Sequence, residues 1–440
     1  MSSDKKTYLI LPGCDDTNRG DQALIWETVS LARKAGFEGD YYMLAEKKNY
    51  HQSAAENILR TDYILEHPST RCAKGDNIRY TLSLKLKWAF VAVGDIITRS
   101  GLLWKFTRRL SSLFAGKRVR ESLKLFENAD ACFVKGGGFL HANGGFADTY
   151  KIFFFLYHIR LAQSCGVPVY VMPNSFGPFD SPFVKSMLKK VLKKCRVVTT
   201  RESVSAEQLK SKCNFVPTKS CDLAFFLEDD PSFDPYEYQK AKGLLDTDKK
   251  RIAITARPYR FPELPDGAVA YEGYKEALSD FVIRIAERGY LPVLVEHVHA
   301  ELPHEDDMKC IEEIAALIDS KAGDCEYKVF SDRGLNCRQM KQIYGTFDYT
   351  VGTRFHSVIF SISSGVPSIA ITYGGNKGVG IMHDLGLDGY AIPIIEATAD
   401  GLIECFGDLC RNEEEIKKTL SQQKIIINEK KSELLTLIGR

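Results

Sequence analysis

Tyr349–Leu387, YTVGTRFHSVIFSISSGVPSIAITYGGNKGVGIMHDLGL, reads as strand, tight turn, helix, strand, glycine-rich turn, helix. An apolar run ends at Val351, Gly352 and Thr353 make the turn, and Thr353 is placed to cap a helix running to about Ser364. Gly365 and Pro367 stop that helix. Pro367–Tyr373 is a second buried strand, followed by Gly374, Gly375, Asn376, Lys377 and Gly378. Two helix N-termini, Arg354, His356 and Lys377 thus meet at one end of a parallel sheet, and free N–H groups beside cations favour an anion there. Residues two apart on a helix point about 200° away from each other. Arg354 and His356 therefore face one ligand only if Arg354 still belongs to the turn. Otherwise His356 satisfies a backbone carbonyl and Arg354 pairs with a carboxylate at the sheet edge.

Outward from this unit, strands and helices alternate in two halves. In the first half lie Thr7–Pro12 (strand), Asp21–Ala35 (helix), Ala131–Lys135, Val167–Met172 and Arg196–Thr200 (strands) and Phe153–Leu161 (helix). The second half restarts with Arg251–Ala256, Tyr274–Arg288 and Leu291–Glu296. Between them Glu228–Tyr238, EDDPSFDPYEY, is acidic, carries two prolines and reads as a linker. The expected organisation is an N-terminal α/β domain over 1–227, a linker over 228–248, a C-terminal α/β domain over 249–400 and closing helices over 401–440. The fold class is α/β: two doubly wound, Rossmann-like domains facing across a cleft.

Polar, glycine-bearing loops stand at the carboxyl ends of the strands. The first, Gly13 to Asp21, holds Asp15, Asp16, Asn18 and Asp21, able to bond hydroxyls or, in one case, to act as a base; turn chemistry and a helix cap by Asp21 are the plainer reading. It lacks both the dinucleotide and the P-loop glycine patterns. After Lys135 come Gly136, Gly137 and Gly138, which let backbone approach a ligand or permit tight packing, then His141. Pro173–Pro178 is another such loop, and Arg201–Ser203 opens a helix after a strand.

With 440 residues, 44% apolar and 26% charged, the chain has the composition of a soluble globular protein of more than one domain. A net charge of +2 excludes a generally basic nucleic-acid binder. The twelve cysteines show no CxxC pairing, and the start MSSDKKTYLILPG is a charged tail leading into a strand, so reduced thiols and a cytoplasmic location are expected. No apolar run is long enough to span a bilayer. His297, His299 and His304 with Glu301, Glu305, Asp306 and Asp307 are dense in ligating groups, but match no established metal spacing; a solvated loop is the plainer reading. Residues 82–120 carry Lys85, Lys87, Arg99, Lys105, Arg108, Arg109, Lys117, Arg118 and Arg120 against one acid, Asp95, interleaved with Trp88, Phe90, Trp104, Phe106 and Phe114. Such a stretch is either a solvated basic face or a helical segment lying in the headgroups of an anionic membrane.

The order and spacing of Gly20-Asp21-x-Ala23-Leu24, Lys135-Gly-Gly-Gly138, Ser175-Phe-Gly-Pro178, Thr200-Arg-Glu-Ser203, Gly352-Thr-Arg-Phe-His356, Gly365-Val-Pro367 and Tyr373…Lys377 resemble the polysaccharide pyruvyl transferase family over about residues 7–390. Segment 82–120 is less typical of it. The resemblance implies a GT-B-like fold, phosphoenolpyruvate as donor and a sugar, in a polysaccharide or lipid-linked glycan, as acceptor, joined as a ketal across two hydroxyls. It implies no cofactor and no metal beyond that donor substrate. Its donor site falls on Arg354, Lys377, Arg201, Arg257 and Gly375, its general acid on His356 and its base on Asp16 or Asp21. Acceptor contacts fall on Asn18, Gly137, Gly138, His141 and Asn174. Expected partners are these two substrates and a peripheral membrane contact through 82–120, with no nucleic acid. Two other classes remain open: a GT-B glycosyltransferase using a nucleotide sugar, and a non-catalytic, membrane-associated partner in glycan assembly.

Overall fold

The computed structural model describes residues 5–45, 50–66, 82–245, 247–300, 304–374 and 377–439. The chain divides into two compact units. The first comprises Met1–Asp16, Leu24–Leu223 and Ser432–Arg440, and the second Thr17–Ala23 and Ala224–Lys431.

In the first unit the strands are β1 (Thr7–Leu11), β2 (Asp40–Leu44), β3 (Ile58–Thr61), β4 (Ala131–Val134), β5 (Gly137–Ala142), β6 (Val169–Phe179), β7 (Val197–Thr200) and β8 (Thr218–Lys219). They form one parallel sheet in the order β3-β2-β1-β4-β6-β7-β8, with β5 beside β6. Strand β4, Ala-Cys-Phe-Val, is buried at every position, the signature of a parallel strand covered on both faces. The core over it draws on Leu9, Val134, Leu156, Leu161 and Val171.

The second unit repeats the plan with β9 (Arg251–Thr255), β10 (Leu291–Val295), β11 (Lys328–Phe330), β12 (Tyr349–Gly352), β13 (Ser368–Thr372) and β14 (Ala391–Pro393). These lie parallel in the order β11-β10-β9-β12-β13-β14. In each sheet the strand order reverses once, between β1 and β4 and between β9 and β12. The loops leaving the carboxyl ends of those strands diverge there and leave the crevice in which doubly wound sheets bind ligands.

The boundaries differ from the sequence reading in instructive ways. The chain leaves the first unit at Leu223, and residues 228–248 hold a short helix, Pro235–Ala241, that counts with the second unit. Asp234 caps it through Tyr236 N and Glu237 N, which uses Pro235 as a helix start instead of a linker signal. The first long helix begins at Arg19, not Asp21 (Arg19–Lys34), because Asn18 Oδ1 accepts from Gly20 N and Asp21 N and so supplies the cap. Gly137 and Gly138 open strand β5 instead of lying in a loop.

Residues 82–120 are helical, as Leu82–Ser100, Lys105–Leu113 and the start of Lys117–Asn128. Tyr157 donates to Arg99 O (3.0 Å) and Arg108 to Ser164 Oγ (2.5 Å), fastening the segment to helix Gly145–Ser164, while Arg108 also donates to Leu102 O (2.9 Å) within the segment. Among the described residues no helix is long and apolar enough to cross a membrane.

Candidate functional site

The second unit builds its site at the ends of β9, β12 and β13. Gly352 closes β12 where a Cβ would lie 2.6 Å from Val358 Cγ2 and 2.9 Å from Ser357 Oγ, so only glycine lets the following helix, Phe355–Ser363, pack this close. Thr353 does not cap that helix. It is buried, with its hydroxyl 2.7 Å from Tyr274 Oη, and the helix is entered through Arg354, whose backbone is extended (φ −77°, ψ 100°). Arg354 therefore does belong to the turn, but its side chain turns away to a carboxylate. Its Nε donates to Asp307 Oδ1 (2.7 Å), and its Nη2 reaches the same oxygen (2.6 Å) and Glu305 O (2.6 Å). Asp307 Oδ2 meanwhile accepts from His297 N (3.1 Å) and Val298 N (2.8 Å). Burial opposes the Arg354 charge, and Asp307 more than offsets it, holding the guanidinium above its ordinary range. Arg354, expected as the anion anchor, thus has its charge balanced by Asp307 within the scaffold.

His356 is only partly buried. Lys377 Nζ, on the first residue of helix Lys377–Asp384, lies 3.1 Å from its Nε2, and a Cβ on Gly20 would fall 1.9 Å from its Nδ1. Glycine at 20 thus makes room for the imidazole. Arg257, just beyond β9, stacks on Tyr373 (4.5 Å to the ring centroid) and faces Tyr259 (5.6 Å). It forms no ion pair among the described residues, which leaves its charge for an incoming anion. Gly375 lies outside the described residues.

Sequence reasoning missed Arg19. It is buried, contacts His299 Nδ1 and donates to Asp332 O (3.0 Å), while its Nε meets no partner among the described residues. His299 accepts as a neutral ring, its pKa pulled down to about 3 by burial and by Arg19. His297 is likewise held well below its ordinary value by burial, Arg354, Arg19 and Lys377. A basic residue inside the Asn18-Arg19-Gly20-Asp21 turn was the available signal. Among the described residues no cluster of His, Cys, Asp or Glu has metal-ligand geometry. Asn18 and Asp21 belong to this second unit, not to the first as expected; Asn18 Nδ2 donates to Asp21 Oδ2 (3.0 Å).

The first unit gathers another polar cluster where β4, β6 and β7 end. Arg201 is fully buried, with Nη1 on Asp222 (2.7 Å) and Nε on Ser175 Oγ (2.7 Å). Its Nη2 has no partner among the described residues and lies 2.9 Å from where a Cβ on Gly138 would stand. Asn174 Nδ2 donates to Lys135 O and Met172 O (2.8 Å each), while Oδ1 has no partner among the described residues and lies beside Gly137. Glu202, next to them, has its pKa pushed up to about 7 by burial, against the pull of Arg201. His141 bonds Gly138 O (2.7 Å) and sits 3.0 Å from Lys151 Nζ. Asp16, expected as a candidate base, accepts at Oδ2 from Gln52 N (2.9 Å) and Ser53 N (3.1 Å), and so holds down the short helix His51–Ala55. The structure thus brings together Arg201, Gly137, Gly138, Asn174 and His141 in one unit, and Asn18, Asp21, Arg257, Arg354, His356 and Lys377 in the other.

With this geometry in view, comparison with known proteins is informative. The model of a family described as polysaccharide pyruvyl transferase matches residues 18–375. The amylovoran biosynthesis protein AmsJ of Erwinia amylovora is 27% identical over 350 residues, 75% of this chain and 79% of that protein. Among solved structures, the UDP-GlcNAc 2-epimerase from Neisseria meningitidis bound to UDP-GlcNAc aligns with a TM-score of 0.54 at 11% identity, over 98% of this chain and 99% of that one. A UDP-glucose:anthocyanidin 3-O-glucosyltransferase in complex with UDP gives 0.53 at 12% identity, over 99% of both chains. These structural likenesses establish a GT-B-like α/β fold.

Proposed function

This chain belongs to the polysaccharide pyruvyl transferase family and is an enzyme of polysaccharide biosynthesis, and from that premise we propose that its donor is phosphoenolpyruvate and its product a pyruvate ketal on a sugar. The acceptor is a residue of a polysaccharide or lipid-linked glycan, handled in the cytoplasm. One observation carries the reading: Arg257, without an ion-pair partner among the described residues, and the His356–Lys377 pair, 3.1 Å apart, stand at the ends of the neighbouring strands β9, β12 and β13.

Phosphoenolpyruvate carries a phosphate and a carboxylate, for which Arg257, Lys377 and Arg19 supply positive charge. Arg354, balanced by Asp307, positions the turn. Catalysis needs an acid and a base. His356 delivers a proton to the vinyl carbon, leaving an oxocarbenium-like carbon at the former enol position. The first sugar hydroxyl forms a C–O bond there and gives its proton to Asp21. The bond to phosphate breaks, and phosphate leaves with its electron pair. The second hydroxyl then closes the ketal, its proton leaving with phosphate. In the first unit, Arg201 Nη2 offers an N–H to an anionic oxygen, and Asn174 Oδ1, His141 and the backbone at Gly137 and Gly138 suit hydroxyls.

The test is phosphate release from phosphoenolpyruvate against galactosyl, mannosyl and glucosyl acceptors, with the ketal methyl followed by proton NMR. Release with at least one acceptor, lost on removing it, is the expected result. A UDP- or GDP-sugar that protects the fold while phosphoenolpyruvate is inert would overturn the donor and favour glycosyl transfer.

A further inference from the structure

Residues 82–114 invert the usual arrangement of a surface helix, in which the apolar stripe faces the core. On helix Leu82–Ser100 the side facing the protein is formed by Leu84, Trp88, Val91, Asp95 and Arg99. Leu86, Phe90, Val93 and Ile97 recur at steps of four, three and four, which places them within about 60° of one another on the opposite side, and all are exposed, Phe90 to 78%. The next helix repeats the device. Arg108 is buried, while Phe106, Leu110 and Leu113 form a second outward stripe, flanked by exposed Trp104 and Phe114. Phe106 is 94% exposed and Phe114 86%. Outward apolar stripes on two successive helices already anchored by their other faces mark an interaction surface.

The charge pattern identifies the occupant. Lys87, Lys105, Arg109, Lys117 and Arg118 are exposed around the patch, whereas the only acid in 82–120, Asp95, is buried on the protein side. Outward aromatics with a basic surround fit the interface of an anionic bilayer: rings enter the acyl boundary and ammonium and guanidinium groups remain among phosphates. We propose that the helices Leu82–Ser100 and Lys105–Leu113 dock this chain on an anionic phospholipid surface, lying in its plane. The inference is independent of the donor.

The test is flotation of the full-length chain with vesicles of phosphatidylcholine, with and without phosphatidylglycerol. Binding is expected only with phosphatidylglycerol present and is expected to weaken as salt rises. Phe90→Ser/Phe106→Ser/Phe114→Ser lowers affinity roughly tenfold or more, and Lys105→Glu or Arg109→Glu lowers it by at least about fivefold each. All five side chains are exposed, so unfolding midpoints and phosphate release with a soluble acceptor are expected to stay as in the wild type, which separates this proposal from the function assigned above. Failure to float with either vesicle would overturn it. So would a wild-type dimer that the triple variant converts to monomer, since a second copy would then be the occupant.

Discussion

Arg201 and Arg354 are two versions of one device, one in each sheet. Each comes directly after a threonine at the end of a parallel strand, and each is held by a buried aspartate, Arg201 by Asp222 and Arg354 by Asp307, at 2.7 Å in both cases. They differ at the outer nitrogen. Arg354 Nη2 closes on Asp307 and the carbonyl of Glu305, whereas Arg201 Nη2 has no partner among the described residues and looks towards the missing side chain of Gly138. An aspartate fixes the guanidinium in either case; whether a donor is left for a ligand depends on what stands beyond it. In the second unit the cation without an ion pair among the described residues is a neighbour, Arg257, and the proposed chemistry falls to His356 beside Lys377.

The largest effect is expected where the comparison separates chemistry from scaffold. His356→Ala should lower phosphate release by roughly 10²–10⁴-fold with little change in unfolding midpoint. A variant that unfolds early and still turns over would reverse the roles assigned to His356 and Arg354. Next come the aspartates. Asp222→Ala and Asp307→Ala each strand a buried guanidinium, and each should cost about 3–5 kcal/mol in denaturant unfolding. A much milder loss in Asp307→Ala would mean that Arg354 reaches water and is not the closed version of the pair. Smaller still is Gly138→Ala. Its Cβ would sit 2.9 Å from Arg201 Nη2, which must shift or pack against it, at a cost of roughly 1–3 kcal/mol. The KM for phosphoenolpyruvate should rise while that of an Arg354→Lys variant changes less.

How much of this was legible follows the same line. The alternation of apolar runs and loops gave both doubly wound sheets, since buried parallel strands announce themselves as short continuous apolar runs such as Ile252-Ala253-Ile254. The meeting of His356 and Lys377 was also legible, because local turns and strand ends set it. What was not legible was partner choice. Asp307 stands 47 residues before Arg354, and no local pattern says that it takes the guanidinium. Asp16 was lost to Ser53 for the same reason, and Arg19 was hidden because one arginine in a polar loop looks like any other. The outward stripe at Leu86, Phe90, Val93 and Ile97 was present as a period, but a period does not reveal which side of a helix faces the core.

The smallest effect tests the two arginine neighbourhoods by pH. Beside Arg201, Glu202 is pushed up to about 7 from 4.5, by burial first and against the pull of Arg201. Between those values the folded chain keeps a proton that the unfolded chain has released. Proton binding therefore favours the folded state at the acid end, and stability falls as pH rises from about 4.5 to about 7, then levels. Glu202→Gln keeps the uncharged shape and removes the titration, so wild type should lose stability over that span that the variant keeps. Beside Arg354 the titrating neighbour is His297, held below its usual range by burial and by Arg354. Its sign is opposite: an unfolded histidine takes up a proton that the folded one refuses, so stability there falls as pH drops below about 6.5. Glu202→Gln should steepen nothing in that acid limb and flatten only the neutral one. If both limbs flatten together, Glu202 titrates with the second unit as well, and the two arginine sites are not the separate devices that their geometry describes.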